Sequence, residues 1–270
     1  DGTVYVSGLF EEKRCLYALD GRSGVKKWEV KIDISTAPVI DADGTIYLGV
    51  LGHGAEKFTV KEWTEDVGGK KVTYSNKKVT WIVDPKIVAL DGRTGGKKWE
   101  FVTLAQIKSS PVIGLNDTIF FGTELQFYGN DMNLYALDSK TGKKKWAATA
   151  NGQIYSSLAI GDDGVIYALS CGGPNEVACA FDGKTGVKQW AFDLGSVTMA
   201  SPAIGPDGTL YIGTKGKRFI PGDFVPSFSL SKWDKKPKFF AIKTSSTGLA
   251  KSPWPALGQN AQHTGRALKK

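Results

Sequence analysis

The chain holds three cysteines, two histidines and two methionines in 270 residues. Cys15, Cys171 and Cys179 cannot all pair within one chain, so a disulfide framework is excluded as the main source of stability. Cys171 and Cys179 flank a Gly-Gly-Pro-Asn turn and could meet across a hairpin; otherwise all three read as small, half-buried apolar residues. His53 and His263 stand in no metal-ligand spacing. There is no Gly-x-Ser-x-Gly and no phosphate-binding glycine loop. Asp41-Ala42-Asp43-Gly44 opens like a calcium loop, but the later ligand positions are missing and a tight hairpin accounts for it. We therefore assign no catalytic residue, no metal ligand and no cofactor. No apolar run approaches the ~20 residues of a membrane-spanning helix, so no membrane span is expected. No signal-peptide pattern is read at the start, where a mature exported protein would look the same as a cytosolic one.

What the chain has is glycine, aromatics and lysine: 33 Gly, 8 Trp, 9 Tyr and 13 Phe, with a net charge of +8. Glycine and aromatics together indicate many short strands joined by tight turns. The phrase LYALDGRSGVKKWEV at Leu16 returns as IVALDGRTGGKKWEF at Ile87, LYALDSKTGKKKWAA at Leu134 and ACAFDGKTGVKQWAF at Ala178, with a degenerate copy, FFAIKTSSTG, at Phe239. A second phrase alternates with it: APVIDADGTIYLG at Ala37, SPVIGLNDTIFFG at Ser110, SLAIGDDGVIYAL at Ser157 and SPAIGPDGTLYIG at Ser201. The chain opens inside this phrase, with DGTVYVSG. Trp28, Trp99, Trp146 and Trp190 lie 71, 47 and 44 residues apart, so the period is in the mid-forties and the second unit carries an insertion. That period fits a four-stranded propeller blade.

Each unit reads as four strands, with Asp-Gly at the first hairpin and an Asp-led turn ending in Gly at the last. The strands are apolar on both faces, as stacked blades require. The Lys-Lys-Trp strand is the outer edge, where lysines discourage pairing with other chains. This accounts for the basic excess, and no nucleic-acid partner is expected. The fold expected is all-β: one propeller of about five four-stranded blades over 1–270, with insertions at about 50–86 and 214–238 and a shorter one at 123–133.

The spacing Ala-x-Asp-x-x-Thr-Gly-x-x-x-Trp occurs at Ala89–Trp99, Ala136–Trp146 and Ala180–Trp190, with Ser23 for Thr in the first unit. It resembles the tryptophan-docking motif of the pyrroloquinoline-quinone (PQQ) repeat family. The resemblance implies that Trp28, Trp99, Trp146 and Trp190 lie between adjacent blades and lock them together. It also implies an extracytoplasmic location: periplasmic, cell-surface or secreted. Some members are quinoprotein dehydrogenases, others non-enzymatic scaffolds, including a lipoprotein subunit of outer-membrane assembly. The dehydrogenases typically stack a disulfide between adjacent cysteines on the quinone, and this chain has no Cys-Cys pair. The closing segment SPWPALGQNAQHTGR, from Ser252, resembles a phrase near the ends of such propellers. It is the expected source of the innermost strand that the first unit lacks, which would close the ring.

All insertions fall between the second and third strands, on the face that also carries the inter-blade links. Long loops on one face usually mark the binding face. Candidate ligand-binding residues are Gln106, Lys108, Asn151, Gln153 and Tyr155 on the links, with Trp63, Trp81 and Trp233 in the insertions. A ring of amides, hydroxyls and a lysine suits a polar ligand such as a sugar; aromatic loops suit a protein partner. A protein-interaction scaffold and a glycan-binding module are the two functions expected.

Overall fold

The computed structural model describes residues 2–10, 13–52, 55–67, 70–82, 84–124, 133–150, 152–170, 177–195, 198, 200–215, 236–252 and 255–256. They form an all-β propeller array without a helix among them. Blade 1 is β1 (Thr3–Phe10), β2 (Lys13–Asp20) and β3 (Lys26–Lys31). Between Val39 and Val102 come β4 (Val39–Ile40), β5 (Thr45–Val50), β6 (Ala55–Val67), β7 (Lys70–Ile82), β8 (Lys86–Asp91) and β9 (Lys97–Val102). Of these, β4-β5-β8-β9 is blade 2, and β6-β7 is a separate hairpin set into it. Blade 3 is β10 (Val112–Ile113), β11 (Thr118–Gly122), β12 (Asn133–Asp138) and β13 (Lys144–Thr149). Blade 4 is β14 (Ala159–Ile160), β15 (Val165–Ser170), β16 (Val177–Asp182) and β17 (Lys188–Asp193). Blade 5 is β18 (Ala203–Ile204), β19 (Thr209–Gly213) and β20 (Phe239–Lys243). Every pairing is antiparallel and in sequence order within the blade.

The five sheets are thus three of four strands flanked by two of three. Blade 1 has no innermost strand among the described residues. Blade 5 lacks the outermost one among the described residues, because no Lys-x-Trp phrase follows Lys243.

Local chemistry sets each turn. Asp91 Oδ1 accepts from the Thr94 N–H at 2.9 Å and its hydroxyl at 3.1 Å, and Asp138 and Asp182 repeat this with Thr141 and Thr185. These bonds stabilise the charged carboxylate and hold Asp91, Asp138 and Asp182 below the usual carboxylate range. The glycine that follows has positive φ, +74° at Gly95. A register shift after Ala89 then bulges β9 against β8, with Lys98 the extra residue, and the same shift follows Ala18, Ala136 and Ala180. Between β10 and β11 Asn116 and Asp117 both take positive φ, the conformation of a primed hairpin turn.

Four hydrophobic clusters form the core, each between two consecutive blades. Trp28, Trp99 and Trp146 cross these layers: their Nε1 groups donate to the carbonyls of Gly92, Ser139 and Gly183 at 2.9, 2.9 and 3.2 Å. Trp190, like Phe240, Ile242 and Leu249, packs against the cluster between blades 4 and 5. The outer strands keep their lysines in water, and the second of each pair reaches back to a hydroxyl: Lys27 to Thr3, Lys98 to Thr45 and Lys145 to Thr118.

The described part of the C-terminal segment does not run beside β1. Leu249 and Ala256 bridge to Gly161 and Ala159, the Ala250 N–H donates to the Ile160 carbonyl at 2.8 Å, and Ser252 Oγ donates to the Ile113 carbonyl. The segment therefore lines the inner edge of blade 4 and touches blade 3. β14 offers its inner edge there, and Ala256 bridges to it at Ala159. Cys179 is a buried free thiol on β16, opposite Ala168 in register. Cys171, which could meet it across the hairpin, lies outside the described residues.

Candidate functional site

One face collects the inter-blade links against the ends of the second strands. The Ser35 N–H donates to the Gly49 carbonyl, and the Gly49 N–H to Thr36 Oγ1, both at 2.9 Å. Ser109 Oγ brackets Gly122, accepting from its N–H at 2.7 Å and donating to its carbonyl at 3.2 Å. Thr198 Oγ1 donates to the Gly213 carbonyl at 2.7 Å. At Gly49 and Gly122 the links approach too closely for a side chain: a Cβ would sit 2.8 Å from Thr36 and 2.4 Å from Ile154. The opposite face carries only tight hairpins, joined by the Gly92, Ser139 and Gly183 N–H groups donating to the carbonyls of Gly44, Asp117 and Gly164.

On the link face a cavity of about 600 Å³ opens where β1 has no inner neighbour among the described residues. It is lined by Ser7 and Gly8 of β1, Arg14 of β2, the link Ile34–Ala37, and Lys108 and Ser110. Arg14 Nη1 donates to the Ile34 carbonyl at 3.0 Å, which fixes the guanidinium at the rim. Lys108 Nζ stands 3.5 Å from the buried Glu124 carboxylate. Ser110 Oγ accepts from the Ala37 N–H at 3.1 Å. The lining combines two cations with four hydroxyls, a set that binds acidic or hydroxyl-rich groups by charge-assisted hydrogen bonds. No nucleophile–base pair is among the lining residues.

Of the candidate ligand-binding residues whose side chains are described, Lys108 alone lines this cavity. Gln106 is one turn of the same link away, its carbonyl accepting from the Glu124 N–H at 2.9 Å. The link holding Gln153 and Tyr155 meets the other side of that strand end: the Ile154 N–H donates to the Thr123 carbonyl at 3.1 Å, and the Tyr155 hydroxyl bonds Gln153. Asn151 and Trp233 lie outside the described residues. Trp63 on β6 pairs in register with Tyr74, and Trp81 on β7 with Glu56. The strand that leads to the hairpin ends beside the cavity-lining link: Val50 bridges to Ile34, and the Leu51 N–H donates to the Asp33 carbonyl at 2.8 Å. Arg14 and Ser7 were not legible as site residues. The signal for them is the missing first strand of the first unit, which leaves the β1 edge open.

A quinone stacked on an adjacent-cysteine disulfide does not fit this chain: Cys15 and Cys179 are separately buried, in blades 1 and 4.

No curated protein sequence matches the chain. Among solved structures it is similar to hydrazine synthase of Kuenenia stuttgartiensis, at 13% identity and TM-score 0.56, covering 92% of this chain and 61% of that one. It is also similar to a europium-containing methanol dehydrogenase, at 12% identity and TM-score 0.53, covering 95% and 57%. BamB from Moraxella catarrhalis aligns at 18% identity and TM-score 0.41, covering 77% and 67%. The chain thus spans about three fifths of the length of the first two. At these identities the likeness shows the fold alone. Residues 83–220, just over half of the chain, match the PQQ repeat family model described as outer membrane protein assembly factor BamB. The chain belongs to this family of PQQ-repeat propellers.

Proposed function

We propose that this chain is a non-catalytic binding propeller that docks a protein partner on its link-and-insertion face, in an extracytoplasmic compartment. The observation that carries this reading is the β6–β7 hairpin. Two 13-residue strands follow the end of β5 that pairs with the cavity-lining link, and 13 residues extend about 40 Å at ~3.3 Å per residue. The side chains of Glu62, Thr64, Asp66, Lys71 and Thr73 are exposed along it. An arm of that length beside a cationic cavity suits a macromolecular surface with an acidic or hydroxyl-bearing group at its centre. The family description, an outer membrane assembly factor, points the same way.

The test is a pull-down from an extracytoplasmic extract, with wild type, a variant in which 55–82 is replaced by a tight turn, and Arg14→Ala/Lys108→Ala. The scaffold reading predicts a defined protein partner, lost on hairpin removal and weakened by the double substitution. Partner capture indifferent to both variants would overturn it.

The hydroxyl-rich lining of the same cavity favours a second reading, a glycan-binding module. A glycan array run on the same three proteins separates the two, since glycan binding should survive hairpin removal and fail in Arg14→Ala/Lys108→Ala.

A further inference from the structure

The β6–β7 hairpin stands apart from the blades as a two-stranded sheet. Its ladder runs from Ala55 opposite Ile82 to Val67 opposite Lys70. Neither strand has a second neighbour among the described residues, so each presents one edge of unpaired backbone N–H and C=O groups along its length. The place of the hairpin in the array is not a terminal one: blade 2, into which it is set, packs on blade 1 on one side and on blade 3 on the other. An isolated hairpin is marginally stable in water, and a third strand is what stabilises it. A long open edge is a template for that strand.

The two edges differ in charge. β7 holds Lys70, Lys71, Lys77 and Lys78 and no acid, whereas β6 holds Glu56, Glu62, Glu65 and Asp66 against Lys57 and Lys61. The ladder does not compensate this sorting. Lys71 stands opposite Asp66, but Lys70 is opposite Val67, Lys77 opposite Val60 and Lys78 opposite Thr59. A lysine edge deters neutral and basic strands, as on the outer strands of the blades. On blades 1 and 2 that device is balanced within its own strand, by Lys26–Glu29 at 2.6 Å and Lys97–Glu100 at 3.0 Å. With no acid of its own, the β7 edge is selective rather than closed: a strand carrying glutamate or aspartate supplies the cross-strand opposite charges that β7 lacks.

We infer that the β7 edge is the docking site of an acidic extended segment of a protein partner, which adds to the hairpin as a third strand. This rests on the scaffold reading above and names the contact through which the partner is held. Main-chain hydrogen bonds along β7 supply the affinity, and the lysines select the partner. The acidic excess of β6, with Glu62 and Asp66 exposed on it, repels the same segment, so charge fixes which of the two edges is used.

Fluorescence anisotropy tests this with three labelled probes: a short peptide of alternating valine and glutamate, its valine–lysine counterpart, and the glutamate peptide methylated on its backbone nitrogens. Wild type should bind the glutamate peptide, more weakly as salt rises, and neither of the others. Lys77→Glu/Lys78→Glu should lose the glutamate peptide by about tenfold or more and gain the lysine peptide, which shows that its hairpin is still formed. Replacing 55–82 by a tight turn should abolish both. Equal binding of the methylated peptide would reduce the contact to charge alone and overturn the inference. So would a wild type that ignores the glutamate peptide, or a charge-reversed variant that keeps it. A partner captured from extract that is lost on removal of 55–82, yet unaffected by Lys77→Glu/Lys78→Glu and by competing glutamate peptide, would leave the scaffold reading standing and overturn this one alone.

Discussion

The Trp146 indole lies across the boundary of blades 3 and 4, its Nε1 3.2 Å from the Gly183 carbonyl and its ring 2.7 Å from where a Cβ on Gly186 would stand. Donor, acceptor and clearance come from three residues, and each is separately testable.

Trp146→Ala opens a void in a layer that includes Phe120, Ala136, Ile166 and Phe181. Removing a core tryptophan costs about 3–5 kcal/mol, and the half-buried position of Trp146 places the effect near the lower end. Thermal unfolding should show a drop of several degrees. A shift of a degree or two would show that the indole does not hold the blades together.

Gly142→Ala places a Cβ 2.6 Å from the Trp99 ring at a residue with φ +70°. Crowding and backbone strain act in the same direction. The variant should be destabilised by about 1–3 kcal/mol, whereas Gly164→Ala, with positive φ but open space, should lose less. Equal losses in denaturant titrations would mean that the indole contact adds nothing.

Acid should weaken the fold through its turn aspartates. Asp162 is held at about 2, first by the Thr247 hydroxyl and then by the backbone of Thr247 and the Ser246 hydroxyl; Asp91, Asp138 and Asp182 are lowered by their threonines. A lowered folded-state value means stability that is complete above the unfolded carboxylate range and lost as pH falls through the folded value. The melting temperature should therefore fall between about pH 4 and pH 2. Asp162→Asn, which removes one of these groups, should flatten the fall, and an unchanged profile would contradict the assignment.

Reconstitution with PQQ and calcium should yield no quinone-dependent alcohol oxidation, because the chain has no adjacent cysteines to stack on the ring. Turnover above that of the free quinone would refute this.

The blades were legible because the pattern is redundant: each Ala-x-Asp-x-x-Thr-Gly-x-x-x-Trp phrase encodes a strand, its turn and the next strand. Four strands were expected in every blade, but the fifth shows three among the described residues, and its degenerate phrase carries no tryptophan strand after Lys243. The path of the closing segment was not legible. Its Ser-Pro-Trp-Pro start has no alternation to give a register; its described residues bridge to β14 and the residue after it, and the remainder, which was expected beside β1, lies outside the described residues. The cavity was half legible. Lys108 was placed from its link, but Arg14 and Ser7 join it through folding that brings residues 7, 14, 35 and 108 around one opening. No spacing in one dimension carries that.

The central claim is that binding occurs on the link-and-insertion face. Amide hydrogen exchange on the chain alone and with its captured partner tests it most directly. The account predicts added protection in 33–37, 55–82 and 103–110, with the turns at 20–25, 91–96 and 138–143 unchanged. Protection confined to those turns, with the links unaffected, would contradict it.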